Sequence, residues 1–170
     1  MASFRWFSSV LAGALLLSAG AAARAEVPTG QPVDGIHCDS MEGAVMHIHQ
    51  HLTIYDHGKA FAVPADIGIP VASSCLYWLH THTPDGLIHV ESPNMRSFNL
   101  GQFFDIWGQP LTPTNVAGIK VKKGQVRAYV NENLYKDNPR TIDLLEHSDI
   151  VLEVGPPYHV PAQFKNWNGN

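Results

Sequence analysis

The sequence is poor in the residues that mark many well-known chemistries. Of its 170 residues only two are cysteine and four are methionine. The cysteines form no Cys-x-x-Cys pair, no glycine-rich phosphate loop precedes a Lys-Ser or Lys-Thr step, and no Gly-x-Ser-x-Gly elbow occurs. Dithiol exchange, nucleotide hydrolysis and serine-nucleophile catalysis therefore have no foothold. Basic residues number 11 against 15 acidic ones, a balance that does not attract nucleic acid. Long apolar runs are lacking too. The run from Val10 to Leu17 is far short of the roughly 20 residues a membrane helix needs, which argues against an integral membrane protein. There is no internal repeat and no low-complexity tract.

The first 25 residues, MASFRWFSSVLAGALLLSAGAAARA, combine a basic Arg5, that apolar run, and small residues at Ala23 and Ala25 around a cleavage position. They read as a secretory signal peptide, so a mature protein starting near Glu26 is expected in the periplasm or outside the cell. Cleavage would remove two of the 11 basic residues (Arg5 and Arg24) and none of the 15 acids, leaving a formal charge of −6. In an oxidising compartment Cys38 and Cys75 are expected to form one disulfide. Loop-entropy arguments put such a cross-link at roughly 3 to 4 kcal/mol. The competing reading, a pair of thiolate metal ligands, needs both cysteines reduced.

Residues 26–170 are long enough for a single domain with a hydrophobic core, and 45% apolar content agrees. An extended lead-in, EVPTGQPVD, precedes an alternating strand over Val45–Asp56. The turn DHG and the answering KAFAVP spell a hairpin. Strands are predicted at Leu76–His82 and Leu87–Glu91 around the turn TPDG. One short amphipathic helix follows. Leu100, Phe103, Phe104 and Trp107 make an apolar stripe, Asn99 with Gln102 makes a capping box, and Gly108 stops it. The stripe is expected to pack on the sheet. Two more strands are predicted at Val126–Asn131 and Ile150–Gly155, and the Pro-marked tail 156–170 is expected to lie extended over the body. The fold class is thus α+β, mostly β: a small antiparallel sheet or roll, β-grasp-like, with one helix.

Three strands of this sheet are written partly in histidine. Residues two apart in a strand share a face, so His47, His49 and His51 project together while Ile48, Leu52 and Ile54 point the other way. His80 and His82 share a face, as do His89 and Glu91. Closing the second hairpin sets His80 opposite His89 and Trp78 opposite Glu91, a spacing from which two rings reach one cation. A single strand histidine is commonly a hydrogen-bonded surface or core residue. Clustered rings are different, because they repel when protonated and cost desolvation when buried, and a divalent ion bonded by neutral imidazoles removes both objections. The candidate metal ligands are therefore His47, His49, His51, His80, His82, His89 and Glu91. Copper or zinc is favoured, with iron or manganese open through Glu91. Met46 and Met95 adjoin the clusters, but filling gaps in the core is the expected job of each. His37, His57, His147 and His159 fall in loops or tail and are given no role.

The composite string HIHQHL…CLYWLHTHTPDGLIHVESP…FNLGQFFDIWG resembles a family of small exported bacterial and archaeal proteins of uncharacterised activity, over roughly Cys38 to Gly155. The resemblance implies no activity. Two other metal patterns do not apply. A copper histidine brace needs the mature N-terminal residue as ligand, here Glu26, and a cupin places its glutamate a few residues after His-x-His, whereas six residues separate His82 from His89.

Three functions compete. The first is a non-catalytic metal binder with a saturated ligand shell. The second is a metalloenzyme, oxidase, oxygenase or hydrolase, with three histidines on the metal and Glu91 or Asp85 as base or extra ligand. The third is an interaction module whose histidines form a structural hydrogen-bond network.

Overall fold

A computed structural model describes residues 30–159 and 161–167; the segment 1–25, expected to be a signal peptide, lies outside the described residues. Among the described residues the first strand is β1 (Cys38–Asp39), which runs into the longest, β2 (Met46–Asp56). The turn at His57 and Gly58 returns it as β3 (Lys59–Phe61), paired to Ile54–Asp56 only. After a loop come β4 (Leu76–Tyr77), β5 (Leu79–His80) and β6 (Leu87–Ser92). The helix α1 (Leu100–Trp107) has the expected ends. Asn99 accepts from the Gln102 backbone, the Gln102 side chain answers to the Asn99 N–H, and Gly108 closes the last turn in the left-handed region at φ 68°.

Three two-residue strands, β7 (Leu111–Thr112), β8 (Asn115–Val116) and β9 (Ile119–Lys120), then form a small meander. The chain ends its regular structure with β10 (Val126–Val130), β11 (Asn133–Tyr135) and β12 (Ser148–Val154). Among the described residues no helix is long and apolar enough to cross a membrane.

The main sheet has the order β11-β10-β12-β2-β6-β5, with β3 also on β2. Its pairs are antiparallel except the central one: β2 and β12, the first long strand and the last, lie parallel. A parallel pair needs a crossover, which here contains α1. β2 and β12 thus lie side by side at the centre of the sheet, with α1 in the connection between them. The small antiparallel sheet expected from local patterns is therefore a mixed one.

One face of the sheet carries the core. Leu52 and Ile54 from β2, Ile88 and Val90 from β6, and Ile150, Leu152 and Val154 from β12 join Leu100, Phe103, Phe104 and Ile106 of α1 in one buried cluster. Each such side chain removed from water contributes about 1.5 to 3 kcal/mol. The other face carries the histidines of β2, and the tail crosses part of it: the Phe164 N–H donates to Asp149 Oδ2 at 2.8 Å, and the His159 N–H donates to Glu153. This cover explains why every residue of β12 is buried although its residues alternate between faces.

One strand prediction and one core prediction are corrected. The segment 76–82 is not one strand: it bends at Trp78 and leaves the sheet after His80. The cause is Thr81, whose backbone N–H and C=O pair with Ile67 and Asp66 while its hydroxyl donates to Pro64. His82 accordingly stands in a bend and is exposed. Met95, expected to fill the core, is 74% exposed, whereas Met46 does pack against it.

Candidate metal centre

The cluster is built by strand register. β6 lies between β2 and β5, and the same residue, His89, is the direct partner of His49 on one side and of His80 on the other. Two residue pairs along, on the same face, His47 stands opposite Glu91. Side chains at directly opposed positions on a shared face have Cβ atoms about 5 Å apart, so three neighbouring strands deliver a row of imidazoles and a carboxylate to one patch. His82 reaches the patch from its bend, with its ring 4.6 Å from that of His89.

The approaches are atomic. His47 Nε2 lies 3.2 Å from His49 Nε2, and His49 Nε2 lies 3.1 Å from His89 Nδ1. On the other side His80 Nε2 lies 3.2 Å from His82 Nε2. Glu91 sits among them, with Oε1 3.1 Å from His47 Nε2 and 3.6 Å from His89 Nδ1, and Oε2 3.7 Å from His80 Nε2. Hydrogen bonds alone do not account for this packing. His49 Nε2 carries either one proton or one lone pair and cannot serve both His47 and His89. Among the described residues Glu91 Oε2 is buried without a hydrogen-bond partner.

The protonation states suit metal binding. His80 Nδ1 donates to the Tyr77 carbonyl at 2.9 Å, which fixes the tautomer and leaves the Nε2 lone pair facing the cluster. Burial pushes the His80 ring down to about 4. His89 falls to about 3, first through burial and then through the neighbouring rings of His49, His80 and His82. His49 is also lowered, by burial and by His47, with Glu146 acting the other way. At neutral pH these rings are unprotonated donors. The Glu91 carboxyl is raised by burial and by the like charge of Glu42, against the pull of His47 and His82.

Exposure is graded across the patch. The side chains of His80 and Glu91 are 0% and 4% exposed, whereas that of His47 is 56% exposed. His47 and His82 therefore form the mouth, and His49, His80, His89 and Glu91 the floor.

Six of the seven candidate ligands come together here; His51 does not. The parallel pairing of β2 with β12 sets His51 opposite Asp149, and its Nδ1 lies 3.2 Å from Asp149 Oδ1. Its Nε2 donates to the Asp85 carbonyl at 3.0 Å, and the Phe164 ring stacks on it at 3.6 Å. Both nitrogens are engaged, so the ring locks the tail to the sheet. A hollow of about 320 Å3 bordered by His51, Thr53, Phe61 and Gly86 contains none of the other six. Asp85, considered as a base, caps its own turn instead. Burial opposes its charge, but the Leu87 N–H donated to its carboxylate holds it below the ordinary range.

Glu42 carries no sequence signal, yet its charge lies close enough to raise the Glu91 carboxyl. Its position depends on Gly43: a Cβ there would stand 2.2 Å from the Ser92 carbonyl carbon, so only glycine lets this loop lie against the end of β6. The Tyr77 carbonyl is a second unforeseen participant. It is anchored through β4, which pairs with β1 beside the disulfide Cys38–Cys75. No family model, curated protein or solved structure matches the chain, so the chemistry of this cluster rests on its own geometry.

Proposed function

We propose that this is an exported protein that binds a divalent transition metal through His47, His49, His80, His82, His89 and Glu91, and that it holds the metal rather than using it in catalysis. The observation that carries the reading is the packing of five imidazoles and one carboxylate into a patch whose floor is buried, with the floor rings of His49, His80 and His89 held neutral by that burial. Nitrogens bonded at about 2.1 Å to one ion lie roughly 3 to 3.4 Å apart, which brackets the 3.1 and 3.2 Å approaches seen. Imidazole with a single carboxylate favours copper or zinc over softer or harder ions. A holding role is supported by the supply of protein donors, since each His-x-His pair together with His89 and Glu91 offers an ion up to four ligands. The Cys38–Cys75 disulfide supports an oxidising compartment. Membership of the exported family that the histidine string resembles belongs to the same proposal.

The test is elemental analysis of protein exported without a histidine tag, with titration of Cu(II), Zn(II), Fe(II) and Mn(II) into metal-free protein. Bound copper or zinc, lost in a His80→Ala/His89→Ala variant, is the expected result. Metal-free protein that binds all four ions no better than that variant would overturn the reading.

A further inference from the structure

The cluster is not one ring of ligands around a point. It resolves into two sets, His47, His49, His89, Glu91 and His80, His82, His89, Glu91, and within each set the donor atoms lie within 4.8 Å of one another. The sets share the two residues of the central strand β6 and differ in the His-x-His pair contributed by the strand on either side. No single set spans all six residues. An ion with bonds of about 2.1 Å cannot hold donors more than roughly 4.2 Å apart, so one ion does not reach both pairs.

Glu91 matches this division. Its Oε1 faces the first set, 3.1 Å from His47 Nε2 and 3.6 Å from His89 Nδ1. Its Oε2 faces the second, 3.7 Å from His80 Nε2, and is the buried atom with no hydrogen-bond partner among the described residues. A carboxylate that presents one oxygen to each of two neighbouring donor sets is the arrangement that bridges a pair of ions about 3.5 to 4 Å apart. The charge agrees, since Glu42 brings a second carboxylate to Glu91 where two dications would leave a large positive excess.

We infer that the site is binuclear: one borderline divalent ion, Cu(II) or Zn(II), sits in the His47/His49 pair and a second in the His80/His82 pair, with Glu91 bridging them. The inference rests on the metal-binding reading above and goes beyond it in stoichiometry and in the role of Glu91. It also orders the two halves: each has one buried and one exposed ring, but among the described residues His80 has its tautomer fixed by the Tyr77 carbonyl, and the His47/His49 pair shows no such bond to a backbone carbonyl. The His80/His82 half is the tighter one.

The experiment is stepwise loading of metal-free, full-length exported protein with Zn(II), followed by native mass spectrometry, and with Cu(II), followed by electron paramagnetic resonance. Two zinc ions per chain, filling in two steps, are expected. At full copper loading the spin signal should fall below that of the copper present, because carboxylate-bridged Cu(II) ions couple. His47→Ala/His49→Ala and His80→Ala/His82→Ala should each bind one ion, with an uncoupled copper signal. Glu91→Gln should lose the coupling. The wild-type stoichiometry and spin count need no variant, so a misfolded mutant does not blunt the test. One ion per chain, abolished by either double substitution, would overturn the binuclear site and leave the metal-binding reading standing. No ion bound at all would overturn both.

Discussion

His80 and His89 face each other directly across the β5–β6 pair, their rings within 7° of parallel and 5.4 Å apart. Each is neutral because burial penalises its charged form. The relation arises from a two-residue strand, β5, that persists just long enough to present His80 before Thr81 draws the chain away. The site therefore depends on register more than on loop conformation, and register is costly to change because a one-residue slip would carry His80 and His89 to the core face.

The same pair makes the metal-free protein sensitive to acid. A histidine whose folded pKa lies below its ordinary 6.5 binds fewer protons folded than unfolded, so the stability it allows is present above about pH 6.5. That stability is lost as pH falls toward about 4 for His80 and about 3 for His89. Glu91, raised from 4.5, works in the opposite direction but is one group against two. Urea denaturation in the presence of a chelator should show stability lower at pH 5 than at pH 7 by on the order of 2 kcal/mol. A flat profile between those values would mean that the rings are not buried as described.

His51 provides the contrast. His51→Ala removes the partner of Asp149 Oδ1 and the surface under Phe164, leaving a buried acceptor short of a donor at a cost of about 1 to 3 kcal/mol. Metal affinity should be unchanged to within about twofold, whereas His80→Ala should lower it by more than tenfold, the scale on which even indirect partners of a metal act. Calorimetric titration of both variants separates the two roles. Equal losses would return His51 to the ligand set.

Much of this was legible in the sequence, and the unreadable parts share a cause. Period-two spacing places His47, His49 and His51 on one face, and the short turn after His82 fixes the His80–His89 pairing; both are local patterns. The contact of β2 with β6 is not local. It brings His49 to His89 and His47 to Glu91 across about 40 residues, and HIHQH reads equally well as the partner of the adjacent KAFAVP segment. Only three residues of that segment pair, because β6 takes the histidine half of β2. Glu42 and the Tyr77 carbonyl escaped notice because one is an ordinary loop acid and the other is backbone. The role of His51 depends on Phe164, more than 100 residues away, which no spacing rule connects to it.

Gly43 tests whether Glu42 matters. Gly43→Ala forces a Cβ into the Ser92–Pro93 backbone, and the loop must lift, at a cost of about 1 to 3 kcal/mol for overpacking. Glu42→Gln leaves the loop in place and removes only the charge. If Glu42 offsets metal charge, both variants should weaken Zn(II) binding, with Glu42→Gln doing so at unchanged thermal stability of the metal-free protein. Loss of affinity in Gly43→Ala alone would assign the effect to loop packing.

The disulfide links stability to the site. Cys38 and Cys75 are 37 residues apart in sequence, and closing a loop of that size restricts the unfolded chain by about 4 kcal/mol on entropy arguments. The link also clamps β1 to β4, where Cys38 stands opposite Tyr77, and the Tyr77 carbonyl orients His80. A Cys38→Ala/Cys75→Ala variant should therefore lose about 3 to 4 kcal/mol of stability in urea. At temperatures where it stays folded it should also bind the more buried metal equivalent less tightly. The two effects are separable by titrating metal well below the variant's midpoint. Full affinity there would show that β1 and β4 keep Tyr77 in place without the cross-link. A loss confined to the His80/His82 half, with the His47/His49 half unaffected, would trace the path from Cys38 through Tyr77 to His80.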